Sequence, residues 1–160
     1  MPRAVTGSRR SGCPISLALE VIGDPWSLLI VRDLMFKGLK TFQDFERAGE
    51  GIATNILADR LARLESAGIL VKKPDKADRR RFVYRLTKKG IDLAPMLTEM
   101  VLWSDRHGET AAPRGEIREM RGHRARFLKN VYETWQRDGE NQSAELSHQN
   151  AVAKSARNGR

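Results

Sequence analysis

The apolar residues of this chain change from a helical spacing to a strand spacing and back, and this change restricts the fold more than any other feature. Between residues 14 and 67, apolar side chains recur every three or four positions. Phe82, Tyr84 and Leu86 instead alternate with their neighbours, with the period of two that is typical of a strand. The chain is therefore predicted to be mainly α-helical with one small β-hairpin.

Helix start and stop residues divide the first part of the chain into four segments. Pro14 and Pro25 suit the first turn of a helix, and Thr41 with Asp44 forms a weak capping box. The predicted helices cover residues 14–22, 25–36, 41–48 and 53–67. Because the turn Gly49-Glu50-Gly51 separates the last two, they fit a helix-turn-helix.

Most of the positive charge lies on the predicted hairpin. The chain has 29 Lys and Arg residues against 20 Asp and Glu residues, a net charge of +9. Residues 72–90 hold nine basic and two acidic residues, a surplus of seven. Strands at residues 69–74 and 81–86 would flank a basic tip, whereas residues 53–67 have no net charge. A basic patch of this size usually meets a polyanion, with nucleic acid the first candidate.

The order of these elements predicts a winged helix-turn-helix that binds double-stranded DNA. The helix at about 53–67 would enter the major groove, and the wing at about 74–81 would lie on phosphates or the minor groove. Phosphate contacts supply affinity, whereas base edges require neutral or mixed hydrogen-bonding groups. The sequence therefore indicates a sequence-specific transcription regulator. Repression is the expected direction, although these residues do not themselves distinguish a repressor from an activator.

The chain lacks the residues that several other classes of function require. One cysteine and three scattered histidines predict neither a disulfide framework nor a metal site. No nucleophile–base pair or Gly-rich phosphate loop is visible, so neither an enzyme nor a cofactor is expected. No apolar run is long enough for a membrane span, no secretory signal is expected, and the predicted location is the cytoplasm.

Four residues of the predicted recognition helix are candidates for DNA contact. Asn55 can pair with adenine and Thr54 can reach base edges, although both residue types also favour an N-cap. Arg60 is a candidate for a phosphate or base edge, with an ion pair to Glu65 or Glu46 as the alternative. Asp59 could accept from cytosine, but a pair with Arg63 is favoured.

The remaining candidates are cations of the wing and polar residues at the start of the preceding helix. Thr41 and Gln43 could position a phosphate, and Thr41 is equally explained as a helix cap. The wing-tip candidates for phosphate contact are Lys76, Arg79, Arg80 and Arg81. The aromatic residues assigned to the core are Trp26, Phe36, Phe42, Phe45 and Phe82.

Several motifs in order resemble the HxlR-type bacterial transcription regulators, which are similar to the MarR group. The matching residues include Cys13-Pro14, Val21-Ile22-Gly23, Trp26-Ser27-Leu28-Leu29-Ile30, Arg32-Asp33-Leu34, Phe42-Gln43-Asp44-Phe45, Arg60-Leu61, Leu64-Glu65 and Tyr84 to Gly90. The resemblance covers about residues 12–108 and implies a cytoplasmic winged-helix homodimer whose terminal helices form the dimer. The sequence departs from the family pattern at Pro25, which affects the helix start, and in the stretch 113–138, which extends past the usual end of the domain. It also departs at Thr54-Asn55 and Asp59 in the recognition helix, so an unusual operator is expected.

Composition and apolar pattern, together with the extent of the resemblance, set the expected domain boundaries. They are a flexible basic arm (1–12), the DNA-binding domain (13–108), a helical extension for dimerisation (109–138) and a disordered tail (139–160). Trp103 and the face Phe127–Val131–Trp135 are candidate dimer surfaces, and an inverted-repeat operator follows from a dimer. Whether an unidentified small-molecule effector binds does not follow from the sequence.

Cys13 is a candidate redox or electrophile sensor. It lies at a predicted helix start near Arg9 and Arg10, and both features favour the thiolate. Some relatives use a cysteine here to sense oxidants. The alternative is a small buried residue at a helix start.

Overall fold

The chain forms two compact units in the computed structural model, one spanning Met1–Asp92 and the other Leu93–Arg160. The structure describes residues 11–75, 78 and 80–140. The division between the units precedes the boundary expected at residue 108. Most of the expected arm (1–12) and tail (139–160) lies outside the described residues.

The first unit contains the four helices that the sequence predicts. They are α1 (Pro14–Ile22), α2 (Ser27–Phe36), α3 (Phe42–Glu46) and α4 (Thr54–Ser66). Helix α2 begins at Ser27 rather than Pro25, and the Asp24 carboxylate accepts the backbone N–H groups of Trp26 (3.0 Å) and Ser27 (3.1 Å). Pro25 is therefore not in the first turn of α2 as the sequence predicted: the N-cap is Trp26, and Asp24 binds the N–H groups at the helix start from outside the helix.

The wing is an antiparallel hairpin of β1 (Leu70–Pro74) and β2 (Phe82–Leu86), followed by the short α5 (Lys88–Ile91). Its strands agree with the predicted ones to within one residue. The backbone N–H of Tyr84 also donates to the Lys40 carbonyl (2.7 Å), and Thr41 forms a bridge with Val83. These bonds attach the base of the wing to the start of α3.

Gly90 is required where α5 meets the hairpin. A Cβ atom at this position would lie 2.1 Å from the carbonyl oxygen of Ile69. Only glycine permits this close approach of the two backbones.

The core of the first unit joins one face of α4 to α2 and the hairpin. Its fully buried side chains include Val31, Leu57, Leu64, Leu70 and Ile91. In α4 the buried residues are Leu57, Leu61 and Leu64, which agrees with the helical spacing of apolar residues in the sequence.

The burial of the aromatic residues differs from the expectation that all five lie in the core. Phe45 is buried and packs edge-on against Tyr84, with 6.0 Å between ring centroids. Trp26, Phe36 and Phe42 are half-buried. The assignment of Phe82 to the core is wrong, because this residue is 42% exposed. It lies near the tip of β2, beyond the buried part of the same strand face.

The second unit contains α6 (Ala94–His107), α7 (Arg114–Gly122) and a helix over residues 124–140. The helical pattern of residues 88–107 predicts one helix that Pro95 interrupts, and the structure confirms this, since α5 and α6 are separate helices and Pro95 lies in the first turn of α6. Leu102, Ile117 and Met120 form a small core against which Phe127 packs.

A largely buried carboxylate joins α6 to α7. Asp105 accepts from Arg114 (2.9 Å) and from Arg121 (3.1 Å), which lie at opposite ends of α7. Glu119 and Arg126 then join α7 to the following helix through two hydrogen bonds, at 2.7 and 2.8 Å. The second unit thus has its own small core and its own ion pairs, to which α6 contributes Leu102 and Asp105.

No single helix in the described ranges is long and apolar enough to cross a membrane. Helices α1 and α2 reach that length and composition only as a pair, and they are bent by 80° at the break between them.

Candidate nucleic-acid interface

The first turn of α4 presents Thr54 and Asn55 to solvent. The N-cap of this helix is Ala53, so the alternative in which these two residues act only as caps does not hold. Both side chains are exposed, and neither makes a side-chain hydrogen bond to another described residue. Their hydrogen-bonding groups are therefore available for base edges.

Arg60 is held by carboxylates that the sequence analysis did not pair with it. Its Nε donates to Asp24 (2.8 Å), and its Nη1 contacts Asp59. The alternative partners Glu65 and Glu46 are not used. Asp59 likewise pairs with this neighbour, rather than with Arg63 one turn on as was favoured. Arg60 thereby fastens the middle of α4 to the start of α2.

The Asp24 carboxylate is stabilised as an anion. Burial opposes its ionisation, but hydrogen bonds from the Ser27 side chain, the backbone of Trp26 and Ser27, and Arg60 together lower its pKa below the usual value. The tie between α2 and α4 therefore persists at neutral pH.

The start of α3 is occupied by its own capping box. The Thr41 hydroxyl accepts from the Asp44 N–H (3.2 Å), and the Asp44 carboxylate accepts from the Thr41 N–H (2.8 Å) and the Lys40 N–H (3.1 Å). Burial opposes ionisation of Asp44, yet these bonds and the nearby Arg81 lower its pKa. The predicted cap is confirmed. A phosphate contact of Thr41 stays a prediction.

Gln43 and Arg81 meet at the base of the wing. The Nη2 of Arg81 donates to the Gln43 Oε1 (3.0 Å), and both side chains are exposed. Two residues proposed independently for phosphate contact therefore lie side by side.

The tip of the wing exposes Arg80. Its side chain is 90% accessible and its Nε lies 3.1 Å from Asp78, whose pKa is lowered chiefly by hydrogen bonds from Arg80. Lys76 and Arg79 lie outside the described residues. The described part of the wing thus presents Arg80 and Arg81 as exposed cations.

An ion-pair network that the sequence analysis missed supports the helix-turn-helix turn. Arg32 of α2 donates to the buried Asp33 (2.8 and 2.6 Å) and to Glu50 in the turn (2.8 Å). Burial opposes the charge on Arg32, but these two carboxylates raise its pKa. No local pattern could have paired Arg32 with Glu50, since the two residues are 18 positions apart.

Cys13 occupies the N-cap position of α1 and is exposed. The alternative of a small buried residue is therefore wrong. Within the described ranges, no group of three or more His, Cys, Asp or Glu residues could hold a metal ion.

Exposed apolar side chains occur on one helix of each unit. Ile15 and Leu19, one turn apart on α1, are 71% and 60% exposed. Met100 and Trp103 of α6 are 46% and 63% exposed, and the Trp103 ring lies 5.3 Å from that of His107. Large apolar residues exposed in this way indicate surfaces that another chain can cover.

A helix-turn-helix with a basic wing defines the class of winged-helix transcription regulators. The chain belongs to the family of HxlR-like helix-turn-helix proteins, whose model matches residues 21–112. This family consists of transcription regulators and not of enzymes. The family resemblance inferred from the sequence motifs is thereby confirmed.

Individual relatives support the same class. The chain is 33% identical over 115 residues to the uncharacterized HTH-type transcriptional regulator Rv3095 of Mycobacterium tuberculosis. The aligned residues cover 72% of this chain and 70% of the relative. It resembles the structure of PA1607, proposed to be a transcription factor (39% identity, TM-score 0.59, 66% and 72% of the two chains). It also resembles the redox regulator HypR in its oxidised form (28% identity, TM-score 0.55, 61% and 100%).

Proposed function

We propose that this protein is a sequence-specific DNA-binding regulator that acts as a homodimer on an inverted-repeat operator. The observation that carries the proposal is the exposed, neutral first turn of α4 in the same unit as a wing that exposes Arg80 and Arg81. The first turn would read bases in the major groove, and the wing would bind phosphates along the minor groove.

The two kinds of contact fall to different residues. Asn55 is assigned to a base edge, with adenine its preferred partner, and Thr54 to a neighbouring base. Gln43 and Arg81 would hold one phosphate together, with Thr41, Lys76, Arg79 and Arg80 on adjacent ones. Arg60 would reach DNA only by leaving Asp24, so its first role is to hold the recognition helix.

A second copy of the chain is the proposed cover for the exposed apolar residues of α1 and α6. A two-fold axis would place two recognition helices in successive major grooves, roughly 34 Å apart. Operator occupancy in the cytoplasm would then repress the adjacent gene. An effector that alters the dimer would change this spacing and release the DNA.

Replacing Asn55 with alanine should change which sequences the protein prefers. The substitution removes a base contact but no charge, so specific binding should fall about 10-fold while non-specific binding and its salt dependence stay constant. Selection from a random duplex pool, followed by sequencing, would show the loss of preference at one position of each half-site.

Arg63→Ala is a suitable control, because Arg63 is an exposed side chain of the same helix. It should weaken binding to all sequences alike or not at all. If Asn55→Ala and Arg63→Ala alter the selected sequence in the same way, the assignment of base reading to Asn55 is wrong.

A redox-sensing version of the same regulator is the second candidate function. It is favoured by the exposed thiol of Cys13 at the start of α1 and by the similarity to the redox regulator HypR. Without a second cysteine in the chain, oxidation would join Cys13 to its counterpart in the dimer or to a small thiol.

Treatment with the thiol oxidant diamide should lower DNA binding several-fold, and a reductant should restore it. Cys13→Ser should bind DNA normally and show no response to the oxidant. Unchanged binding by the oxidised wild-type protein, with Cys13 shown by mass spectrometry to be modified, would rule out sensing through this residue.

A further inference from the structure

Phe82 is an aromatic residue that the core leaves uncovered. It shares a face of β2 with Tyr84 and Leu86, which are both buried, yet it is itself 42% exposed. Opposite it in the hairpin stands Pro74, the last residue of β1. The buried face therefore ends at Tyr84, and Phe82 continues it toward the tip of the wing.

One cation lies over the exposed ring, and a second lies next to it in the chain. The ammonium nitrogen of Lys72 lies 4.2 Å from the ring centroid and covers one face of the ring. Arg81 precedes Phe82 in the chain and is held by Gln43. An apolar side chain thus lies against Lys72 and next in sequence to Arg81, two cations that suit phosphates, in the part of the protein that the proposed function places on DNA.

We propose that the Phe82 ring packs against the deoxyribose wall of the minor groove, while Lys72 and Arg81 bind the flanking phosphates. The occupant of this surface is DNA, because the charges beside the ring complement its backbone and the sugar edges offer the apolar surface. Aromatic and aliphatic wedges are a known means of contact in the minor groove. This inference rests on the proposed function and adds to it an apolar anchor in the wing.

An apolar contact and a phosphate contact depend differently on salt. Each neutralised phosphate releases counterions and steepens the dependence of affinity on salt, with a slope of about −0.9 per phosphate. Burial of a ring against sugars releases water and no ions, so its contribution to affinity is nearly constant over salt concentration. The two roles in the wing can therefore be separated by measurement.

Phe82→Ala should weaken binding to a selected duplex by about five-fold and leave the salt slope unchanged. Phe82→Leu, which keeps an apolar side chain, should lose less affinity. Lys72→Gln is the matched control in the same hairpin and should reduce the slope by about 0.9 for each chain bound. Wild-type affinity of Phe82→Ala, or a slope change equal to that of Lys72→Gln, would overturn the proposal.

A photoreactive phenylalanine analogue tests the geometry without deleting the ring. Benzoylphenylalanine at position 82 should cross-link to the bound duplex, whereas the same analogue at Glu116, an exposed acidic position of α7, should not. Bound DNA without a cross-link at position 82 would overturn the inference alone. Failure of the parent protein to bind any duplex would instead overturn the proposed function, and this inference with it.

Discussion

Replacing two arginines of the wing, Arg80→Glu with Arg81→Glu, is expected to weaken binding to every duplex by about 100-fold or more at physiological salt. Both side chains are exposed on the wing, and Arg81 lies beside Gln43 at the start of α3. The change removes two phosphate contacts per chain and places two anions against the DNA backbone. Because these contacts carry no sequence information, specific and non-specific duplexes should lose affinity alike.

The same charge change elsewhere provides the control. Arg106→Glu with Arg137→Glu alters two exposed arginines of the second unit and leaves the wing intact. If the wing provides the phosphate footprint, the control should keep most of the affinity and of the salt slope, whereas the wing variant should lose about 1.8 from the slope for each chain bound. Equal losses of affinity and of salt slope in both variants would show that DNA binding depends on the net charge of the protein and not on the position of the charges in the wing.

Truncation of Leu57 to alanine should lower the free energy of unfolding by about 3 kcal/mol. Leu57 is fully buried on the inner face of α4 and lines a depression between α2, α3 and α4. Removing its side chain leaves a cavity where the recognition helix meets the core. Urea denaturation followed by circular dichroism would measure the loss.

Arg63→Ala, at an exposed position of the same helix, should change the free energy of unfolding by no more than about 0.5 kcal/mol. The difference between the two variants reports burial and not helix propensity, since alanine is introduced in both. A Leu57→Ala protein as stable as the Arg63→Ala protein would mean that α4 is not packed as the structure shows.

Local periodicity and capping chemistry were enough to predict the fold of the first unit. The stripe Leu57–Leu61–Leu64, the Thr41 cap and the alternation in β2 each depend on residues within a few positions of one another. The break at Pro95 was also predictable, because proline cannot donate the hydrogen bond that a helix interior requires.

Contacts between distant parts of the sequence could not be predicted in this way. The sequence suggested the nearby Glu65 as an ion-pair partner of Arg60, but Arg60 pairs with Asp24, 36 positions away. Phe82 was assigned to the core because alternation identifies the face of a strand and not the point where the core ends.

Binding to an inverted-repeat duplex as a function of salt tests the central claim most directly. Fluorescence anisotropy between 50 and 200 mM salt would give both the affinity and its slope. With Lys72, Lys76, Arg79, Arg80 and Arg81 of two chains on phosphates, the logarithm of the association constant should fall with a slope of about −9 against the logarithm of salt concentration. Two chains should bind each duplex. Absence of binding at 50 mM salt, or an affinity that salt does not change, would contradict the account.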